Sequence, residues 1–162
     1  MRRGTLGALV MLAVLAPGGT AFAHTGTSGT ATSNYRTRVT DVQPAVPDLS
    51  VRVADLDGRI TLSYSGPGTI IVEGYEGEPY LRFSPAGVER NRHSPATYLN
   101  TDRYAQVAQP AAADATAAPD WERVSDGHTY TWHDHRTHWM SPTPPTEVVA
   151  DPDREVVIFD HW

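Results

Sequence analysis

The chain has 162 residues, no cysteine, 19 acidic and 13 basic side chains, and a formal net charge of −6. That balance argues against a nucleic-acid partner, whose phosphates need clustered cations, and against charge-driven binding to anionic lipid. The lack of cysteine removes thiolate zinc sites, thiol nucleophiles and blue-copper chemistry together, so any metal must be held by imidazole, amine, carboxylate or thioether.

The N-terminus reads as a secretory signal. Met1-Arg2-Arg3 is positively charged, Leu6 to Ala16 is an apolar run too short for a comfortable membrane span, and Pro17-Gly18-Gly19 ends it. Ala21-Phe22-Ala23 fits the small-x-small cleavage rule. Residues 1–23 are therefore set aside from the fold, and cleavage makes His24 the first residue of an extracytoplasmic, secreted or cell-surface protein. Thr25 to Ser33 is rich in Gly, Ser and Thr, so residues 24–34 read as a flexible arm. Residues 35–162 suit one domain with a real core.

Strand patterns follow. Tyr35 to Val42 alternates, and Leu49, Val51 and Val53 share one face. Asp57-Gly58 predicts a hairpin into Arg59–Tyr64. Thr69–Tyr75 reads as a buried strand, and Glu76-Gly77-Glu78-Pro79 turns into Tyr80–Phe83. Glu73, Glu76 and Glu78 read as a solvated hairpin rather than an acid/base pair. Arg92 to Asp120 lacks a period and reads as a long crossover with one short helical turn, braced by Asn91, Tyr98 and Asn100. Trp121–Ser125, His128–Trp132 and Arg154–Phe159 complete the strands. Short strands divided by Gly/Pro turns predict an all-β, single immunoglobulin-like or copper-carrier-like sandwich. The pattern is still extended at Trp162, which suggests a continuation that completes the sheet and could add a membrane anchor.

The densest chemistry is Trp132-His133-Asp134-His135-Arg136-Thr137-His138-Trp139-Met140, which holds three of the seven histidines. On an extended strand, His133 and His135 share a face. His138 has the opposite parity, but Pro142 and the bulky Trp139-Met140 pair suggest a bend. His128, five residues before His133, faces the other side of an unbroken strand. The most economical site joins the amine and imidazole of His24 to His133 and His135, with His138 or Asp134 as a further ligand or a partner that orients one. Arg136 disfavours a nearby cation unless it pairs with Asp134 or Glu147. Such a nitrogen set suits copper, Cu(II) above all, with zinc and nickel as alternatives. Met140 is a weak thioether that could help hold Cu(I).

Gly74-Tyr75-Glu76-Gly77-Glu78-Pro79-Tyr80-Leu81, Asn91 with Ser94-Pro95-Ala96-Thr97-Tyr98-Leu99-Asn100, and the Trp132–Met140 segment together resemble a family of uncharacterised secreted or membrane-anchored actinobacterial proteins. The resemblance implies an extracytoplasmic β domain, often followed by a membrane segment, and no established activity. A looser resemblance to periplasmic copper-resistance carriers rests on His24, the size and the β pattern. Their methionine-rich loop has no counterpart, since Met140 is the single methionine after residue 23. The expectation is a metal carrier, buffer or sensor whose partners are the ion and an envelope membrane protein. The competing expectation is a metal-free structural or interaction module of the envelope. An enzyme, whether copper oxygenase or metal hydrolase, needs an open coordination position and a groove, and no motif points to either.

Overall fold

Seven antiparallel strands form two sheets in the computed structural model, which describes residues 36–54 and 58–157. Strands β1 (Leu49–Ala54), β2 (Arg59–Tyr64) and β7 (Thr129–His133) make a three-stranded sheet in the order β1-β2-β7. Strands β3 (Ile70–Glu73), β4 (Pro79–Ser84), β5 (Gly87–Asn91) and β6 (Trp121–Ser125) make a four-stranded sheet in sequence order. All described residues fall in one unit, Thr32–Trp162.

Alternation sets which side chains meet between the sheets. Ile60, Leu62 and Tyr64 lie two apart on β2 and are all buried; so are Leu81 and Phe83 on β4. Val88 and Trp132 join them, and Phe83 packs on Trp132 with ring centroids 6.4 Å apart. The two inner faces thus share one apolar core, which makes the domain an all-β sandwich. Each such fully buried side chain contributes about 1.5–3 kcal/mol over its exposed state.

The hairpin through Asp126-Gly127-His128 carries the chain from one sheet to the other. β6 pairs with β5, whereas β7 pairs with β2 in the register Ile60↔Trp132 and Arg59↔His133. This switch delivers the end of β7, and with it His133, to one rim of the sandwich.

Several local expectations change. Residues Arg36–Val42 form no strand, although Thr37 Oγ1 donates to the Thr137 carbonyl at 2.6 Å. β3 is a four-residue edge strand with Ile71 43 % exposed, so the apolar run of 69–75 is not buried on both faces. An apolar run alone does not say how many neighbours a strand has. Arg154–Val157 is not a strand, and a short helix, α2 (Thr146–Ala150), precedes it.

The crossover from β5 to β6 holds one helical turn, α1 (Ala96–Leu99). Asn91 clamps both its ends: Nδ2 donates to the Pro79 carbonyl at 2.7 Å, and Oδ1 accepts from the backbone N–H of His93 and of Asp120, each at 2.9 Å. Tyr98 adds a bond from its hydroxyl to the Arg92 carbonyl at 2.8 Å.

Candidate metal centre

The histidine segment does not continue as a strand. β7 ends at His133, and Asp134 caps a 3₁₀ turn, His135–Thr137. The Asp134 carboxylate accepts from Arg136 N at 3.1 Å, while its carbonyl accepts from Thr137 N at 3.1 Å and Thr137 Oγ1 at 2.6 Å. A side chain that offers the backbone local partners ends a strand in this way. The turn breaks the two-residue parity and brings His138 back to His133. Their planes lie 14° from parallel with ring centroids 4.9 Å apart, and the rings meet edge to edge, their Nε2 atoms facing each other at 2.8 Å. His135 stands edge-on to both, at 5.1 Å from His133 and 5.8 Å from His138.

Each imidazole turns one nitrogen to a backbone carbonyl. His133 Nδ1 meets the Asn100 carbonyl at 3.2 Å, His138 Nδ1 the Trp139 carbonyl at 2.9 Å, and His135 Nε2 the Asp102 carbonyl at 2.7 Å. A carbonyl oxygen only accepts, so each contact is a hydrogen bond in the tautomer that protonates the nitrogen facing it. In the neutral rings that leaves lone pairs on His133 Nε2, His138 Nε2 and His135 Nδ1.

The proton count then decides what the facing pair needs. The chain of contacts from Asn100 O through His133 and His138 to Trp139 O has three links, and two neutral imidazoles bring two protons. With both Nδ1 atoms protonated, two lone pairs confront each other across 2.8 Å. A third proton fills the third link as it stands; a metal ion, whose imidazole ligands lie about 2.0 Å away, binds both Nε2 atoms only once the rings part or tilt. Burial, with the neighbouring His138 next in effect, lowers His133 from an ordinary 6.5 to about 4, so that ring is neutral at physiological pH.

Asp134 is not a ligand in this arrangement, nor does it orient an imidazole. Its side chain is fully buried and accepts from Trp132 Nε1 at 2.9 Å. Arg136 grips it in bidentate fashion, Nε on Oδ1 at 2.9 Å and Nη2 on Oδ2 at 2.8 Å. Burial alone pushes the Asp134 carboxyl up, but the bonds and charge of Arg136 with the Trp132 bond outweigh it and hold the group below its ordinary range. Arg136 is thereby neutralised beside the histidines. The groups that fix the ring tautomers are the carbonyls of Asn100, Asp102 and Trp139.

The structure therefore brings together His133 and His138 through their Nε2 atoms, with His135 as their neighbour. The pairing of His133 with His135 by strand parity is replaced by one across the 3₁₀ turn. His128 is exposed at the opposite end of β7. His24 lies outside the described residues. Among the described residues, no three His, Asp or Glu side chains converge as metal ligands do. Met140 is 37 % exposed beside this segment.

Two further residues complete the surroundings. Tyr75 stacks on His135 with centroids 5.6 Å apart and planes 11° from parallel, and its hydroxyl accepts from His135 N at 3.0 Å and donates to Asn100 Oδ1. Asn100 Nδ2 is buried without a partner at hydrogen-bonding geometry among the described residues. Burial pushes the nearby Tyr80 phenol up to about 12, with the Asn100 amide pulling the other way. The role of Tyr75 has no signature in sequence, because it sits in a turn and acts across sixty positions. Asn100 does, in its expected bracing of the crossover.

Comparison with known proteins adds no relative: no family model, curated protein or solved structure matches the chain.

Proposed function

We propose that this domain is an extracytoplasmic copper-binding module, a carrier, buffer or sensor, that holds the ion through Nε2 of His133 and Nε2 of His138. The observation that carries the reading is the facing pair of ring nitrogens whose far sides are both committed to carbonyls. Metal-ligating histidines almost always donate their other N–H in this fashion, which fixes the tautomer and raises ligand basicity. The donors are neutral imidazole, which suits copper first and zinc next. His135 supplies a third fixed imidazole at the rim, and the Asp134–Arg136 pair removes the repulsion that a bare guanidinium would exert.

The test is titration of the mature protein with Cu(II), and with Cu(I) under reducing conditions, read by electron paramagnetic resonance and by a competing chelator. One ion per chain is expected, with affinity lost in His133→Ala and His138→Ala. Stoichiometric binding untouched by both substitutions would overturn the assignment. The share of His24 is read from His24→Ala in the same titration.

A second reading, a metal-free structural or interaction module of the envelope, is favoured by one observation: a third proton shared between the two Nε2 atoms satisfies the same count. It predicts a melting temperature indifferent to copper and to chelator.

A further inference from the structure

The turn between β3 and β4 is built around a buried acid. Glu78 is 3 % exposed, and its Oε2 accepts from Glu76 N at 2.9 Å while Gly74 N donates to the Glu78 carbonyl at 2.7 Å. A Cβ at position 74 would collide with the Glu78 carboxylate and push it off its bonds to Ser94 and Glu76. Glu73 and Glu76 are exposed as a solvated hairpin requires, whereas Glu78 packs inward, and the turn holds Tyr75 half-buried beside it.

This turn grips the crossover at both flanks of α1. On one side the Ser94 hydroxyl donates to Glu78 Oε1; on the other the Tyr75 hydroxyl donates to Asn100 Oδ1. Asn100 is the residue that ends α1, with its backbone N–H on the Ala96 carbonyl. The carbonyl of that same Asn100 accepts from His133 Nδ1, and two residues on the Asp102 carbonyl accepts from His135 Nε2. Tyr75 also takes the His135 backbone N–H and lies under the Arg136 guanidinium, 5.2 Å from the ring centroid. One hydroxyl therefore joins the loop that carries the proton acceptors to the segment that carries the rings. Burial, with the charge of Asp134 adding to it, pushes this phenol above its ordinary range, so it remains a donor at any physiological pH.

We propose that Tyr75 is a positioning residue for the imidazole pair: through Asn100 it sets the His133 tautomer and so the affinity of the centre for its metal. The inference rests on the copper reading, yet its first consequence is visible without metal.

The experiment compares wild type, Tyr75→Phe, Asn100→Ala and the control Tyr98→Phe, which removes a bond from the same crossover away from the rings. Ring ¹⁵N resonances of the histidines in the apo-protein report the tautomers, copper titration reports affinity, and thermal melts report stability. Tyr75→Phe and Asn100→Ala should mix the His133 tautomers and weaken copper about 10- to 100-fold, the usual effect of losing a group that orients a ligand. Tyr98→Phe should lower the melting temperature at most and leave tautomers and affinity as they are. His133 resonances and copper affinity unchanged in Tyr75→Phe or in Asn100→Ala would overturn the proposal while the copper reading stood. Failure of wild type to bind copper would overturn that reading instead, and the apo resonances would still decide the role of Tyr75. Should Tyr75→Phe not fold, Asn100→Ala decides alone.

Discussion

Two regions of this sandwich use the same arginine–carboxylate chemistry to different ends. Along the four-stranded sheet, Arg82 pairs with Glu89 across β4 and β5, Arg90 with Glu122 across β5 and β6, and Arg92 with Asp120 just beyond. These pairs run from partly exposed, with Glu89 at 16 %, to exposed, at 54 % and 42 % for Arg92 and Asp120. At the rim, Arg136 holds Asp134, whose side chain has no exposure at all. The contrast teaches that an ion pair's worth is set by what its partners would face alone. On the sheet, a widowed charge meets water. At the rim, it meets buried indole and backbone and has no such refuge.

The largest effect is therefore expected from Asp134→Ala. It removes the cap of the 3₁₀ turn, strands the Trp132 indole N–H and takes from the Arg136 guanidinium its carboxylate partner beside three imidazoles. Breaking a buried pair from one side costs about 3–5 kcal/mol, which urea unfolding should show as a large fall in midpoint. Loss below about 1 kcal/mol would place this pair with those of the sheet. Because the turn also carries His138 back to His133, copper affinity should fall with it.

The same contrast marks where sequence was readable. The inward residues Ile60, Leu62, Tyr64, Leu81 and Phe83 follow the two-residue period, so the sandwich was legible from alternation and turn chemistry. The histidine cluster was legible as composition. Its arrangement was not, because the side chain of Asp134 ends β7 and trades strand parity for a 3₁₀ turn. The carbonyls of Asn100 and Asp102 were hidden for a different reason. Every residue has a carbonyl, and only the path of an aperiodic crossover decides which ones meet a ring. Glu78 looked like a solvated turn residue since charged residues in Gly/Pro turns usually are, yet the bond from Ser94 allows it to be buried.

A pH series on the metal-free protein sharpens the comparison. His133 has a native value of about 4 against an ordinary 6.5, so as pH falls the unfolded chain takes this proton first. Its contribution to stability is complete above 6.5 and is lost as pH drops through that value toward 4. Asp134 lies below its ordinary 3.8, so its contribution is complete above 3.8 and is lost only at lower pH. Unfolding midpoints should thus fall in two stages on acidification. His133→Gln should flatten the first stage and leave the second. A first stage that survives this substitution would mean that other groups produce it.

The smallest effect belongs to the sheet. Asp120→Asn keeps the backbone bonds by which Asp120 N donates to Asn91 and its carbonyl accepts from Arg92 N, and removes only the charge facing Arg92. An exposed pair of this kind contributes about 0.2–1 kcal/mol, and salt screens it. Urea midpoints of wild type and Asp120→Asn should differ slightly at low ionic strength and converge in high salt, whereas the loss in Asp134→Ala should survive salt. The reason is dielectric: mobile ions reach the solvent around Arg92 and Asp120 but are shut out from the buried Asp134 carboxylate. If both losses vanished together in salt, burial would not be what separates the rim from the sheet, and the neutralisation of Arg136 beside the histidines would have to come from somewhere other than Asp134.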